Sequence, residues 1–259
     1  MTKTSYIRYI YDINRAVEFI FCNNSTVSYP LHNHVSVFTI GLILDGSIIL
    51  NRGHNSQVVG KNHIFSIPPY MPHSIQADNN YTLLSLCIRK DLLSLYTSNM
   101  DKVKIDITNS LIDILGSEII VQKQIIRLLS CLDLFNVNTL HIKQKANDPY
   151  IEDLRRHLEL FPESKLSLDE MAHAALTNKY HFIRSFKKEI GLTPHQFQLQ
   201  NRVRKAQRMI NEVDTITEAA LTAGFYDQSH FTKQFEKYVC LTPTAYKMSC
   251  NVFNPDSAV

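Results

Sequence analysis

Nine side chains in the C-terminal part carry groups suited to reading the edges of base pairs. Lys179, Tyr180, Ile183, Arg184 and Lys187 form one set; Gln228, Ser229, Thr232 and Lys233 form the other. On helices, they fall outward once Phe182, Phe186, Phe231 and Phe235 are assigned to the buried side. An arginine or lysine on such a face can donate to guanine O6 and N7, which makes Arg184 and Lys233 the guanine candidates; Gln228 suits adenine and Ile183 a thymine methyl. For Tyr180, packing or a phosphate contact is an equal alternative, because phosphate and sugar contacts outnumber base contacts. For Lys187, Lys188 and Arg202 a solvated surface or a phosphate contact is the preferred reading.

The elements that must position these residues come as an internal repeat. His181–Phe197 laid over His230–Tyr246, a shift of 49 residues, gives identity at seven of seventeen positions, including the Phe186/Phe235 pair and both Leu-Thr-Pro triplets. Composition alone gives about one. Each copy reads as a helix-turn-helix. Ser167-Leu-Asp-Glu170 and Thr215-Ile-Thr-Glu218 are capping boxes that open a first helix, and turns follow at Leu176-Thr177-Asn178 and Gly224. The second helices bury Phe182, Phe186 and Ile190 in one copy and Phe231, Phe235 and Val239 in the other. Thr193-Pro194 and Thr242-Pro243 each cap a further helix. Pro194–Ile210 is predicted as one linking helix with Leu199, Val203, Ala206 and Ile210 as its inner stripe.

From about Tyr150 to Lys247 the chain resembles the DNA-binding domain of the AraC/XylS family of bacterial transcription regulators. The resemblance rests on Arg202-Val203-x-x-Ala206 and on Ala223-Gly-Phe-Tyr-Asp-Gln-Ser-His-Phe231 followed by Phe235 and Thr242-Pro243. One departure is Cys240, where the family has the glycine present here as Gly191; it predicts a less tightly turned helix end. The resemblance implies promoter DNA and RNA polymerase as partners, activation rather than repression, a homodimer on repeated half-sites, and a cytoplasmic, nucleoid-associated protein.

Residues 1–90 read as strands. Val35–Leu44 is a β-branched apolar run ending in a hairpin-type turn at Asp45-Gly46; Ser47–Leu50 and Gln57–Val59 flank Arg52-Gly53; His63–Ile67 and Tyr81–Ile88 add two segments. The spacing fits a small β-barrel or sandwich. Helix follows from Asp91, with Val121, Ile125, Leu128, Leu132 and Phe135 as a coiled-coil-like stripe, read either as packing on the barrel or as a dimer seam. Asn136–Asn147 is a polar connector, and Asp148-Pro149 supplies an N-cap and a first-turn proline.

Tyr29-Pro-Leu-His32-Asn-His34, Leu44-Asp-Gly46 and Ile67-Pro-Pro-Tyr-Met-Pro-His73 resemble the cupin-like effector domain common in this family. His32, His34 and His73 stand where metal-binding cupins hold an iron or zinc ion. The acid that should follow His34 is missing, however, since Val35, Ser36, Val37, Phe38 and Thr39 fill those places. A three-histidine site still suits zinc, but the expectation is a metal-free pocket, without a cofactor, in which these histidines contact a small-molecule effector. The alternatives are a cupin-type metalloenzyme fused to a DNA-binding domain, against which the missing acid counts, and a regulator that needs no effector.

The reading is therefore of two domains. Residues 1–140 form a mainly-β cupin-like barrel with added helices for effector binding or dimerisation, 141–148 a linker, and 149–250 an all-α double helix-turn-helix domain; no enzymatic activity is expected. Composition agrees: 259 residues, 44% hydrophobic and 20% charged, are globular values for two cores. Net charge is only +3, but Lys179–Lys247 holds eleven Lys/Arg against six Asp/Glu. The charged start has no signal-peptide core and no run is long enough for a membrane helix, so no membrane partner is expected. Five cysteines without a CxxC pair read as reduced thiols.

Overall fold

A computed structural model describes residues 5–12, 17–35, 37–53, 55–89 and 148–251. Among them the N-terminal part is made of strands: β1 (Tyr6–Asp12), β2 (Val17–Ser25), β3 (Tyr29–His32), β4 (Val37–Asp45), β5 (Ser47–Arg52), β6 (Asn55–Gly60), β7 (Ile64–Ile67), β8 (His73–Ala77) and β9 (Tyr81–Arg89). They pair antiparallel into a five-stranded sheet, β1-β2-β9-β4-β7, and a four-stranded sheet, β3-β8-β5-β6. A core of Cys22, Ile43, Leu83, Ile48, Leu50 and Ile75, among others, lies between the sheets. The apolar helix stripe of residues 121–135 and the polar connector lie outside the described residues.

The turn at Asp45-Gly46 is a correction. It does not close a hairpin, because β4 pairs with β7 and β9 while β5 pairs with β6 and β8. The chain crosses there from one sheet to the other. Gly46 takes φ +72, and a Cβ on it would stand 2.1 Å from the Asn80 carbonyl oxygen, so the crossing needs glycine. The β5–β6 pair is a true hairpin over Arg52-Gly53. β3 and β8, which carry His32 and His73, have too few alternating apolar positions to stand out in the sequence.

The C-terminal part is helical: α1 (Pro149–Leu160), α2 (Leu168–Ala174), α3 (Lys179–Ile190), α4 (Pro194–Met209), α5 (Ile216–Thr222), α6 (Gln228–Val239) and α7 (Pro243–Asn251). Their starts are fixed by side chains. Asp148 accepts from the Tyr150 N–H, and Ser167 and Glu170 form a reciprocal capping box. Thr193 and Gln196 form a second box. Thr215 makes only the forward bond, from the Glu218 N–H. Each such cap stabilises by about 1 kcal/mol.

The two helix-turn-helix units have separate cores joined by α4. Phe182, Phe186, Ile190, Met171 and Ala172 pack with Leu154, Leu158 and Phe197 around the first unit. Phe231, Phe235, Val239, Ala219 and Ala220 pack on Leu199, Val203, Ala206 and Ile210 around the second. The turns differ by one residue. Met171-Ala172 and Ala219-Ala220 are the matching buried pairs, 48 apart, whereas Asn178 and Asp227 cap the second helices 49 apart. The second turn therefore holds one more residue, with Gly224 left-handed at φ 91; the first turn uses Leu176 at φ 51.

Cys240 corrects a second expectation. It caps α6 at φ 61, in the same left-handed state as Gly191 at φ 82 on α3, and both return a backbone N–H to the carbonyl four residues earlier. The cysteine is tolerated because its side chain packs against the barrel core.

Candidate nucleic-acid interface and histidine chamber

On α3, Tyr180, Arg184 and Lys187 are exposed and recur at i, i+4 and i+7, while Ile183 is half-buried. Tyr180 is 78% exposed, which removes the packing reading of this side chain. Lys179 is partly diverted, with its Nζ 2.9 Å from Asp169 Oδ2 on α2. On α6, Gln228, Ser229 and Lys233 are exposed and Thr232 is half-buried. The Gln228 carbonyl accepts from the Thr217 hydroxyl at 2.8 Å, which leaves its amide N–H groups outward. Arg202 is half-buried, and its guanidinium donates to the carbonyls of Pro162 at 2.7 Å and Ser164 at 3.1 Å, holding the α1–α2 loop.

Two exposed residues were not singled out in the sequence. Tyr226, 77% exposed, stands just before the α6 cap. Glu236 occupies on α6 the place that Lys187 holds on α3, so the two faces are electrostatically unequal. The repeat itself carried that signal, since the 49-residue shift pairs Lys187 with Glu236.

The histidines expected to act together do meet. His32 and His73 are buried and His34 partly so, and their candidate ligand atoms lie within 4.8 Å of one another. They face a cavity of about 40 Å³ between the sheets, with Phe65, Ile67 and Leu83 as apolar walls. Burial pushes His73 down to about 4 and His32 and His34 well below the ordinary imidazole range, with their mutual repulsion adding to the effect on His32 and His34. All three are therefore neutral at pH 7. In place of the missing acid, Thr39 meets His34 Nδ1 through its hydroxyl.

One wall of this cavity belongs to the helical part. Arg204 of α4 and Tyr238 of α6 line it. Around it the two parts are joined at several points. Tyr9 donates to the Val239 carbonyl at 2.7 Å, and Gln207 donates to Glu18 at 2.7 Å. Tyr70 donates to Glu159 at 3.0 Å, under the Arg155 guanidinium 4.5 Å from its ring. Gly191 at the end of α3 abuts Pro72, whose Cγ would be 1.9 Å from an added Cβ. Both recognition-type helices thus end on the barrel. Composition and periodicity gave no sign of this seam, because Gln200, Arg204 and Gln207 look like the polar face of a surface helix.

Comparison with known proteins agrees with this architecture. Residues 15–145 match the AraC-like ligand binding domain, and residues 171–249 match a helix-turn-helix domain. The chain belongs to the AraC family. Over 87 residues it is 32% identical to the HTH-type transcriptional regulator MtrA of Neisseria gonorrhoeae, covering 33% of this chain and 29% of that one. Over 101 residues it is 33% identical to the probable transcriptional regulator LumQ of Photobacterium leiognathi, covering 39% and 38%. The chain thus spans about a third of the length of these curated relatives. In structure it resembles ToxT of Vibrio cholerae O395 with a TM-score of 0.56 and 12% identity, over 96% of this chain and 98% of that one, a likeness of fold. Among the described residues no helix is long and apolar enough to cross a membrane.

Proposed function

We propose that the protein is a sequence-specific regulator of bacterial transcription, working in the cytoplasm on promoter DNA, with α3 and α6 as its two major-groove readers. The carrying observation is the pair of equivalent exposed faces, Arg184 on α3 and Lys233 on α6, fixed by one linking helix. Arg184 and Lys233 read guanine, Gln228 adenine and Ile183 a thymine methyl. Tyr180, Lys187, Ser229 and Thr232 supply the surrounding phosphate and sugar contacts, and Lys179 a weaker one. The family and the names of the relatives support a transcriptional regulator rather than an enzyme; activation through RNA polymerase and action as a homodimer belong to the same proposal. The domain limits proposed are 1–140, 141–148 and 149–250.

The histidine chamber is the effector site in this reading. A related fold, ToxT, has been crystallised with an unsaturated fatty acid bound. Here apolar walls, histidines and the Arg204 guanidinium favour an effector with an apolar body and an anionic group. Arg204 of α4 and Tyr238 of α6 line the cavity, so an effector held there touches the helices of both reading units. Binding would thereby act directly on the readers.

Selection from randomised duplexes tests the reading. A defined site should emerge, and affinity should fall about 10³–10⁵-fold between 50 and 200 mM salt if six to ten phosphates are contacted. No enriched sequence together with a flat salt response rejects it.

A further inference from the structure

The three histidines are held in a way that a hydrogen-bonded pocket alone does not require. His32 Nδ1 lies 2.7 Å from the Pro30 carbonyl and His73 Nδ1 2.9 Å from the Met71 carbonyl. A carbonyl can only accept, so each ring donates its Nδ1–H. A neutral ring so fixed carries its lone pair on Nε2. His34 Nε2 stands 3.2 Å from His32 Nε2, and its Nδ1 is bonded to Thr39 Oγ1. Backbone carbonyls on the far nitrogen are usual outer partners of a metal-bound imidazole, and the Thr39 hydroxyl takes the corresponding place on His34.

We propose that His32, His34 and His73 bind one transition-metal ion through their Nε2 atoms, with a fourth position open to the cavity. This departs from the metal-free pocket expected from the missing acid, and it stands whether or not the metal controls DNA binding. Zinc–nitrogen bonds of about 2.0–2.1 Å in a tetrahedron place ligand nitrogens roughly 3.3 Å apart, close to the His32–His34 separation. The ligand atoms reach 4.8 Å apart at most, so closure needs side-chain rotation of about 1–2 Å. An all-imidazole set suits Zn²⁺, Cu²⁺, Ni²⁺ or Fe²⁺ and disfavours Mg²⁺ and Ca²⁺.

Thr39 lets the cluster serve both states. Its hydroxyl is also 3.3 Å from Cys87 Sγ. Without metal, the Thr39 hydroxyl donates to His34 Nδ1, and His34 Nε2–H donates to His32 Nε2. With metal, His34 carries its proton on Nδ1 and donates to Thr39, whose own proton turns towards Cys87. Burial keeps that thiol protonated, pushed up to about 12, so it takes part only as a hydrogen-bond partner. The cations that face the cluster, Arg204 and Arg52, oppose a bare dication and favour an anion as the fourth ligand. The cavity of about 40 Å³ has room for one hydroxide or the head of a carboxylate.

The test uses the full chain without a histidine tag, stripped with chelator and titrated with Zn²⁺ and, separately, Co²⁺. The expected result is one ion per chain at micromolar affinity or tighter, a four- or five-coordinate Co²⁺ absorption spectrum, and a metal-dependent rise in Tm. His32→Gln, His34→Gln and His73→Gln should each weaken binding at least tenfold while the chelated proteins melt as the wild type does. Thr39→Val keeps every ligand and should weaken binding about 10–100-fold, which keeps the test valid if a histidine variant does not fold. The proposal is overturned by no saturable uptake, by an octahedral Co²⁺ spectrum, or by one-per-chain binding that survives removal of all three histidines.

Discussion

Gln200 on the linking helix clasps Asn33, the residue between His32 and His34. The Gln200 amide donates to Asn33 Oδ1 at 2.8 Å and to the Asn33 carbonyl, and the Asn33 N–H donates back to Gln200 Oε1 at 3.1 Å. Both residues are buried. A displacement of the histidine segment is therefore felt on α4, which carries both reading units.

Gln200→Leu should expose the value of this clasp. It leaves the Asn33 N–H and carbonyl buried without partners, a cost of about 1–3 kcal/mol. Thermal melting should show the loss. A fragment from residue 146 carrying the same change should bind DNA as the wild-type fragment does, and a full-length variant of unaltered Tm would show the clasp to be inert.

Arg184→Ala and Lys233→Ala should each lose about 1–3 kcal/mol of discrimination at one or two base pairs. The affected pairs should lie about one helical turn apart, roughly 34 Å, since each unit enters its own groove segment. Site selection with each variant measures this. If both variants weaken every sequence alike, the two residues are backbone anchors.

Glu236 faces outward where α3 has Lys187, so the second unit repels phosphate where the first attracts it. Glu236→Lys should tighten binding to all sequences and steepen the salt dependence by about one unit of slope. Lys187→Glu should do the reverse. Gel shifts at several salt concentrations decide the matter; sequence-dependent gains would point to a base contact.

Leu176 sits at φ 51 with its side chain 93% exposed, so it carries left-handed strain and buries nothing. Leu176→Gly should stabilise the chain by about 0.5–1 kcal/mol, the strain relieved less the entropy of glycine. Cys240→Gly should gain less, because that side chain packs on the barrel core. Denaturant melts of the two variants test the contrast, and an equal or larger gain at Cys240 would contradict it.

Glu18 is half-buried beside Gln207, and desolvation pushes its carboxyl above the usual range against the opposing pull of Arg204. With the folded value above the unfolded one, the Glu18 contribution is fully present below about pH 4.5 and is lost as pH rises through the folded value. The Tm of the wild type minus that of Glu18→Gln should increase as pH falls from about 7 to 5. Tyr246 and Cys87, which also feel Glu18, stay protonated across that range. Parallel Tm curves would show that Glu18 titrates alike in both states.

The helical part was legible because its signals are local. Capping side chains, phenylalanines at helical spacing and a repeated segment each act within a few residues, and the helices begin and end where those signals fall. The barrel was legible as a class but not as a topology, because a turn such as Asp45-Gly46 looks the same whether its strands pair or part. His32, His34 and His73 could be grouped only through the resemblance, and their tautomers only through Pro30 and Met71. The seam was illegible. Asn33 meets Gln200 across 167 residues of chain, and no periodicity marks a polar residue that is buried by another domain.

The contact of Gly191 with Pro72, and that of Val239 with Tyr9, give the barrel leverage over length. In the proposed complex the two readers enter groove segments about one turn, roughly 34 Å, apart and so form a gauge, on which a tilt of about 6° at one foot moves the other by about 3.4 Å, the rise of one base pair. A change of a few degrees where these helices rest would therefore alter which spacing of groove segments one chain fits, without altering a single side chain proposed to touch a base.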